Sequence, residues 1–291
     1  MILIVDSGST KCDWLALDSN GKQLFEKQRT KGMNPAILSA KNLKKTISKN
    51  DILKSNKKDV KNVYFYGAGC GTEKPKTMLH DVLQDYFVNA EISVNEDTYA
   101  AVYATVGKEH KPAVVCILGT GSNCSYFDGE ILHQRVDSLG YSIMDDAAGN
   151  YFGRQLIRDY FFKKMPETLR VAMASKYNLE PDFIKYNLYK QPNPNAYLAS
   201  FAEFIFLNKD NDYMTNLIKN GVRLFARNMI LQFQDVLENV PVHFAGSIAY
   251  FSQNEILEIG NELGFKVGVF ERRPIEGLVK YHIDNLSSLN E

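Results

Sequence analysis

The chain has 291 residues, which exceeds the usual size of one domain and provides enough material for two hydrophobic cores. Its composition, 45% hydrophobic and 23% charged, is typical of a globular protein. Because 34 Lys and Arg residues balance 34 Asp and Glu residues, no net charge draws the chain to nucleic acid or to an anionic membrane, and small molecules are the expected partners.

The sequence carries no signal for export or membrane insertion. No apolar run approaches the ~20 residues of a membrane span, and the first residues lack the basic region and the longer apolar core of a signal peptide. The four cysteines, Cys12, Cys70, Cys116 and Cys124, form no CxxC pair, which indicates reduced structural thiols instead of a zinc site or a disulfide framework. We therefore expect a cytoplasmic protein.

The first predicted element is a strand that ends in a turn of small residues. The apolar run Met1 to Val5 leads directly into Asp6 and the turn "SGST", a pattern typical of a strand buried on both faces. Small residues leave backbone N–H groups open to a phosphate, and Asp6 could bind a cation beside that phosphate. The alternative is a tight hairpin in which Asp6 accepts hydrogen bonds from the turn, and this stretch alone favours the hairpin.

Helices and a further strand are predicted next. The sequences "NLKKTISKNDIL" and "MLHDVLQDYF" have apolar residues at three- and four-residue spacing, which predicts helices. Asn34, before Pro35, is typical of a turn. Asp97 follows the strand-like "AEISVN" and precedes the helix-like "TYAAVYAT", a position typical of an N-cap.

The strand-and-turn pattern occurs a second time, about a hundred residues later. An apolar strand, Ala113 to Leu118, leads into a turn from Gly119 to Asn123 and then into a return strand. Each return strand reaches a hairpin signal, "DSNGK" in the first copy and "FDGE" in the second. The two copies predict a duplicated α/β unit. A third strand with a small-residue turn, "VPVHFAGSIAY", predicts that three turns converge on one ligand at the carboxyl ends of strands.

Helices are predicted between the second and third turns. Asp145 and Asp146 precede "AGNYFGRQLIRDYF", where either could cap a helix. The Asn- and Pro-rich "YKQPNPNAY", residues 189–197, is typical of a loop. The run from Tyr213 to Leu237 keeps helical spacing over several turns.

These motifs, in this order, resemble the N-acetylglucosamine kinase and BadF/BadG/BcrA/BcrD ATPase family of the actin-like (sugar kinase, Hsp70, actin) ATPase superfamily. "DSGSTKCDWLAL" resembles the family's first phosphate loop, "LGTGSNC" the second and "FAGSIAY" the adenosine loop, while "YGAGCG", "VNEDTYAAVYA" and "RPIEGLVKYH" resemble the segments that connect them. The similarities are colinear over nearly the whole chain, which favours a phosphate loop over the hairpin. The resemblance implies an α/β fold of two duplicated ribonuclease H-like domains, residues 1–111 plus 277–291 and residues 112–276, with a nucleotide cleft between them.

The resemblance implies a site for ATP and Mg²⁺. Asp6 would hold the Mg²⁺ through water. The residues implied to contact ATP, besides Asp6, are Gly8, Ser9 and Thr10 in the first loop, Gly119, Thr120 and Gly121 in the second, and Ala199 and Gly246 near the adenosine. Ala199 and Gly246 could equally be packing residues. The chain contains no GxxxxGK[ST] run, so this site would differ from a Walker A loop.

The resemblance also implies an acceptor site. Asp97 would be the general base that takes a proton from a sugar hydroxyl as its oxygen attacks the γ-phosphoryl group, with Glu96 as the reserve candidate. Asn34 matches an asparagine that contacts the sugar. Gly140 and Asp145 lie in "LGYSIMDDAAGNYFG", which lines up with a family stretch of the form GWGxxxGDEGSxYW whose aspartate binds sugar hydroxyls.

This last segment departs from the family pattern. Leu139 stands at the tryptophan, Met144 and Ala147 replace glycines, and Ala148 replaces the serine. The departures bear on the acceptor sugar and on catalysis, and they leave the nucleotide site untouched.

The leading hypothesis is an ATP-dependent kinase for a hydroxyl of N-acetylglucosamine or a related hexose or amino sugar. One alternative is an ATPase of the BadF/BcrA branch, although the positions of Cys12, Cys116 and Cys124 argue against that branch's iron–sulfur cluster. The other is a nucleotide- or sugar-binding regulator without catalysis. The sequence leaves the acceptor sugar and the assembly state open, and a homodimer is one option.

Overall fold

The structure, a computed structural model, describes residues 1–8 and 11–288. The chain folds into two compact units. The first contains Met1–Lys111 and the chain from Arg273 onward, and the second contains Pro112–Arg272. The chain therefore leaves the first unit once and returns to it once. No helix in residues 1–8 and 11–288 is both long enough and apolar enough to cross a membrane.

A five-stranded sheet forms the centre of the first unit. Its strands are β1 (Ile2–Ser7), β2 (Lys11–Leu17), β3 (Gln28–Lys31), β4 (Asn62–Gly67) and β5 (Glu91–Glu96). Their order is β3-β2-β1-β4-β5, with β1 antiparallel to β2 and parallel to β4. The helices that follow in this part of the chain are α1 (Ala40–Ser48), α2 (Asp51–Asn56), α3 (Glu73–Tyr86) and α4 (Asp97–Val106). Leu3, Ile4 and Val5 are fully buried, as expected of a strand covered on both faces.

The second unit repeats this sheet. Its strands are β6 (Ala113–Leu118), β7 (Ser122–Phe127), β8 (Leu132–His133), β9 (Val242–Ala245) and β10 (Val267–Glu271). The order β10-β9-β6-β7-β8 has two parallel and two antiparallel pairings at the places equivalent to those in the first sheet. The α/β class and the duplication predicted from the sequence are therefore confirmed.

Helices accompany the second sheet, and the last helix belongs to the first unit. They are α5 (Gly149–Phe161), α6 (Glu167–Lys176), α7 (Pro181–Tyr189), α8 (Pro194–Ala199), α9 (Glu203–Leu207), α10 (Asp212–Asn228), α11 (Gln234–Leu237), α12 (Ser247–Phe251), α13 (Gln253–Leu263) and α14 (Pro274–Ser288). Short 3₁₀ turns cover Gly107–Glu109 and Ile230–Phe233. Helix α14 packs against α4 and β1.

Two predictions, one of a helix and one of a loop, were wrong in part. The predicted helix "NLKKTISKNDIL" is two helices, because the side chain of Asn50 accepts a hydrogen bond from the N–H of Leu53 at 3.0 Å and starts α2. The loop predicted over residues 189–197 covers only residues 190–193. Helix α8 begins at Pro194, a residue suited to the first position of a helix, and Asn193 precedes it in the left-handed conformation.

His243 fills an irregularity between β9 and β10. Its Nδ1 accepts a hydrogen bond from the N–H of Val269 at 2.9 Å, in the stretch where the register of the two strands shifts. Burial lowers the pKa of the ring to about 4. The ring is therefore neutral in the folded protein, with its proton on Nε2.

Acid should destabilise the second unit through His243. Between pH 6.5 and about 4 this ring is protonated only in the unfolded chain, so stability rises with pH across that window. His243→Gln can accept the same hydrogen bond through its amide oxygen but does not titrate. In the parent, His243 contributes up to about 3 kcal/mol to the increase in unfolding free energy between pH 4 and 7, and we expect this variant to lose that contribution. Thermal unfolding across this pH range measures it. The same pH dependence in both proteins would show that His243 does not contribute.

Candidate functional site

The carboxyl ends of three parallel strands meet at one edge of the first sheet. Ser7 at the end of β1 pairs with Gly67 of β4, which pairs with Glu96 of β5. Asp6 is the next-to-last residue of β1, so the strand extends past the end predicted for it. Asp97 directly follows β5 and is the first residue of α4. The topology therefore brings the predicted metal ligand and the predicted base to the same edge.

The carboxyl groups at this edge have unusually high pKa values. Burial, together with the negative charges of Glu96 and Asp6, raises the pKa of Asp97 to about 7, although hydrogen bonds from the N–H groups of Thr98 and Asp97 act in the opposite direction. Burial and the neighbouring Asp13 raise the pKa of Asp6 to about 6. Asp97 therefore exchanges its proton close to neutral pH, as a general base does.

Asp13, opposite Asp6 on β2, is already paired. Its Oδ1 accepts a hydrogen bond from Arg29 Nε at 2.6 Å, and its Oδ2 accepts one from Arg29 Nη2 at 3.1 Å. Burial raises the pKa of Asp13, but the hydrogen bonds and charge of Arg29 outweigh it and hold the pKa below its usual value. Asp13 therefore stays ionised and keeps a negative charge beside Asp6.

Asp6 is a suitable ligand for a divalent cation. Its carboxyl group accepts no hydrogen bond from the described residues, and a cation would offset the cost of burying its negative charge beside Asp13, which raises its pKa. Within the described part of the chain, no group of three or more His, Cys, Asp or Glu residues could hold a metal ion. Mg²⁺ usually takes one or two protein carboxylates and completes its shell with phosphate oxygens and water. One carboxylate at Asp6 fits that kind of site.

The small residues after β4 contact Asn34 and Glu96. A Cβ added to Gly69, whose φ is +82°, would overlap Oδ1 of Asn34, and a Cβ added to Gly71 would lie 3.0 Å from the Glu96 carboxyl. The same Oδ1 of Asn34 accepts a hydrogen bond from the N–H of Ala36 at 2.9 Å. Nδ2 of Asn34 donates to no other described residue. Its N–H groups are therefore available to a ligand.

Cys70 lies near the site, although the sequence around it does not predict this position. The structure puts this buried thiol close to Asp97 and Glu96. Burial and these two carboxylates raise the pKa of Cys70 to about 12, so the thiol stays protonated at neutral pH. Nothing in the spacing of the sequence indicates this neighbourhood, since Cys70 and Asp97 meet only through the pairing of β4 with β5.

The predicted first phosphate loop is described only in part. Gly8 is partly exposed at the end of β1, and a Cβ added to it would meet a single atom, the Lys11 carbonyl oxygen, at 3.9 Å. Ser9 and Thr10, both predicted to contact ATP, lie outside the described residues.

The predicted second phosphate loop is a tight turn held by the start of α5. The N–H of Gly119 donates to the carbonyl of Gly121 at 2.9 Å. The N–H groups of Gly149 and Asn150 donate to the carbonyls of Gly119 at 2.8 Å and Thr120 at 3.1 Å. Because C=O and N–H point in opposite directions in a trans peptide, the N–H groups of Thr120 and Gly121 point away from α5. Neither donates to another residue that the structure describes, so both are available to an anion.

Gly246 and Ala199 both lie beside this loop. Gly246 has a φ of +109°, and a Cβ there would overlap the carbonyl oxygen of Leu118 and lie 3.3 Å from the nitrogen of Gly119. A Cβ added to Gly149 would lie 3.0 Å from the Cβ of Ala199. The structure therefore gathers the nucleotide residues predicted in the second unit, and both residues retain a packing role.

Asp145 lies against the same loop. Its Oδ1 accepts a hydrogen bond from the N–H of Ser122 at 3.3 Å, and its Oδ2 accepts one from Asn150 Nδ2 at 2.7 Å. Gly140 begins the turn before Asp145: its φ is +80°, and its carbonyl accepts hydrogen bonds from the N–H groups of Ile143 at 3.3 Å and Met144 at 2.9 Å. A cavity of about 360 Å³ beside Asp145 is lined by Ser122, Val136, Ser138, Ile143, Met144, Asp145, Asp146, Asn228, Met229 and Gln232.

Solved structures resemble the chain over almost its whole length. A protein from Porphyromonas gingivalis named "Putative N-acetylglucosamine Kinase" is 32% identical with a TM-score of 0.90, and the match covers 98% of this chain and 99% of that one. A ROK-family glucokinase from Streptomyces griseus, in complex with glucose and AMPPNP, is 13% identical with a TM-score of 0.59 and coverages of 99% and 98%. A ROK-family transcriptional regulator, a homologue of the E. coli MLC protein, is 9% identical with a TM-score of 0.55 and coverages of 99% and 80%.

The two distant matches show the fold alone. No protein-family model matches the chain, and no curated protein matches its sequence.

Proposed function

Because the chain belongs to the N-acetylglucosamine kinase family of the actin-like ATPase superfamily, we propose that it is a sugar kinase that transfers the γ-phosphoryl group of ATP to a hydroxyl of N-acetylglucosamine or a related amino sugar or hexose. Its two units are actin-like ATPase domains, each with the duplicated sheet. The distant neighbour of the same fold was solved with a hexose, glucose, and with AMPPNP.

The proposal depends on the position and the raised pKa of Asp97. Asp97 stands at the first position of α4, where backbone N–H groups only partly offset the effect of burial, and its pKa of about 7 suits proton transfer at neutral pH. In the proposed reaction Asp97 takes the proton of the attacking hydroxyl. The sugar oxygen bonds to the γ-phosphorus as the bond from that phosphorus to the bridging oxygen of ADP breaks.

The other residues of the site have binding roles in this proposal. Asn34 donates an amide N–H to the acceptor sugar. The free N–H groups of Thr120 and Gly121 bind phosphate oxygens, and Ala199 and Gly246 border the adenosine. Gly8, Ser9 and Thr10 of the first loop remain proposed contacts of ATP. Mg²⁺ at Asp6, when bound, would neutralise part of the charge on the phosphates.

A regulator that binds sugar or nucleotide without phosphoryl transfer is the second candidate. One observation favours it: the family tryptophan is replaced by Leu139, whose side chain is 57% exposed. The iron–sulfur ATPase is less well supported, since all four cysteines are buried thiols.

An ADP-release assay with a panel of sugars tests the proposal. We expect ADP release with ATP and Mg²⁺ to depend on the sugar and to be fastest with an N-acetylated amino sugar, among N-acetylglucosamine, N-acetylmannosamine, glucosamine and glucose. Mass spectrometry should detect the phosphorylated sugar, and a reaction without sugar measures simple hydrolysis. Nucleotide binding without sugar-dependent ADP release would contradict the kinase and favour the regulator.

A further inference from the structure

We propose that Ser7 is a positioning residue for the acceptor sugar. Its hydroxyl and its carbonyl hold two segments at the end of β1, the Asn34 loop (residues 33–36) and the turn after β4 (residues 68–71), so that the amide N–H groups of Asn34 face the acceptor. The inference rests on the proposed function, because it takes Asn34 to be a sugar contact. The family resemblance assigns roles to the residues on either side of Ser7 and none to Ser7 itself.

The hydroxyl of Ser7 holds the Asn34 loop. Ser7 is the last residue of β1 and is fully buried. Its Oγ accepts a hydrogen bond from the N–H of Met33 at 2.9 Å, and Met33, the residue before Asn34, is fully buried as well. A buried N–H needs an acceptor, because leaving it unpaired costs the free energy of its desolvation. The Ser7 hydroxyl therefore fixes the start of the loop.

The carbonyl of Ser7 holds the turn after β4. It accepts a hydrogen bond from the N–H of Ala68 at 2.8 Å, one residue beyond the pairing of Ser7 with Gly67. The N–H of Cys70 then donates to the carbonyl of Gly67 at 3.3 Å and closes the turn. One residue at the end of β1 thus binds both segments.

The two segments meet at the side chain of Asn34. Oδ1 of Asn34 accepts a hydrogen bond from the N–H of Ala36 at 2.9 Å. Gly69, whose φ is +82°, lies so close that an added Cβ would overlap the same Oδ1. Contacts that fix Oδ1 also fix Nδ2 of the same planar amide, and Nδ2 is the donor that the proposed function assigns to the sugar. The direction of that donor therefore depends on the positions of both segments.

The turn after β4 also contacts the carboxylate beside the proposed base. A Cβ added to Gly71 would lie 3.0 Å from Cδ and Oε1 of Glu96, which directly precedes Asp97. The turn thus contacts the Asn34 amide at one end and Glu96 at the other. Because Ser7 holds this turn and the Asn34 loop together, it sets where the acceptor lies relative to Asp97.

Steady-state kinetics on Ser7→Ala test the inference, with the panel sugar, defined as the sugar of the ADP-release panel that is phosphorylated fastest. The substitution leaves the buried N–H of Met33 without its acceptor, so the Asn34 loop should shift. We expect the KM for the panel sugar to rise about tenfold, whereas kcat stays within about threefold of the parent.

The affinity for AMP-PNP with Mg²⁺, measured by calorimetry without sugar, should also stay within about threefold of the parent. The Ser7 hydroxyl reaches the predicted first phosphate loop only through a long hydrogen bond to the carbonyl of Gly8, at 3.3 Å. Its loss should therefore affect the sugar more than the nucleotide.

A double-mutant cycle separates positioning from a general loss of stability. Asn34→Ala removes the amide itself and should raise the same KM. If Ser7 acts through that amide, Ser7→Ala should change the KM by less than about twofold when it is added to Asn34→Ala. Independent, multiplicative effects of the two substitutions would overturn the inference.

Ser252→Ala is the matched control. Ser252 is also a fully buried serine, but its hydroxyl has no hydrogen-bond partner among the described residues. Its loss should leave the KM for the sugar and the affinity for AMP-PNP unchanged. If Ser7→Ala does not fold, Gly69→Ala tests the same arrangement, because its methyl group would displace Oδ1 of Asn34. An unchanged KM for the panel sugar in Gly69→Ala would contradict the inference.

The outcomes distinguish this inference from the proposed function. If the parent phosphorylates the panel sugar and Ser7→Ala does so with the same KM, the inference is wrong and the kinase proposal stands. Weaker AMP-PNP binding in Ser7→Ala with an unchanged sugar KM would assign Ser7 to the phosphate loop, and the inference would again be wrong. If no sugar stimulates ADP release from the parent, the proposed function fails and the inference fails with it.

Discussion

Asp97→Asn should lower turnover by roughly 10²–10⁴-fold while the affinities for ATP and sugar stay near those of the parent. The amide has the size of the carboxyl group and can accept the hydrogen bonds from the start of α4, but it cannot take the proton of the attacking hydroxyl. Steady-state kinetics and calorimetry with the sugar identified in the panel measure the two effects separately.

The same substitution should stabilise the ligand-free protein. Folding raises the pKa of Asp97 from 3.8 to about 7, so between these values only the folded state keeps the proton, and stability falls as pH rises through the window. Asp97→Asn removes that penalty. Its advantage over the parent should be absent near pH 4 and grow to as much as about 4 kcal/mol above pH 7, measured by thermal unfolding.

Glu96→Gln is the control for both effects, because Glu96 is the adjacent carboxylate and the reserve candidate for the base. We expect it to keep most of the turnover. A larger loss of turnover in Glu96→Gln than in Asp97→Asn would transfer the role of base to Glu96. Unchanged turnover in Asp97→Asn, with weaker binding or lower stability, would show that Asp97 serves only the start of the helix.

Gly246→Ala should remove nucleotide binding and destabilise the second unit by about 2–4 kcal/mol. Gly246 has φ +109° and ψ 163°, a conformation almost confined to glycine. The added methyl group would also overlap the Leu118 carbonyl and lie 3.3 Å from the nitrogen of Gly119. Because these are backbone atoms at the start of the second phosphate loop, no side chain can move to make room.

Gly264→Ala is a matched control for Gly246→Ala. Gly264 also has a positive φ, +79°, at the end of α13, but a Cβ there would meet nothing within 4 Å. It should cost only about 1 kcal/mol and leave AMP-PNP affinity unchanged. Urea unfolding and calorimetry on the two variants separate backbone strain from displacement of the loop. Equal effects of the two substitutions would contradict the special role of Gly246.

The sequence predicted the strands and turns that build the site, because buried strands and small-residue turns leave strong local patterns. The position of Asp97 after a strand and before a helix was also predicted. The neighbourhood of Asp6 and Asp97 follows once the strands are known to be parallel, since both residues then lie at one edge. The local pattern did not predict the break at Asn50. The helical spacing of apolar residues continues through this position, but the side chain of Asn50 caps a second helix.

The sequence could not predict which groups Asp145 contacts. Its partners, Ser122 and Asn150, meet it through a hydrogen-bond network that depends on left-handed backbone at Asp145 and Ala147. Alanine rarely adopts left-handed backbone, and aspartate tolerates it only modestly. Tertiary contacts, which the local sequence does not show, therefore fix this backbone.

The second unit is continuous in sequence, whereas the first is interrupted by it, and this has a consequence for the order in which the protein folds during synthesis. All residues of the second unit are present once Arg272 has been made. In the first unit, Ile275 and Leu278 of α14 complete a buried cluster with Ile2, Ile4, Leu15 and Leu17. That buried cluster stays incomplete while more than half of the chain is translated, so the second unit can finish folding first, the reverse of the usual N-terminal-first order.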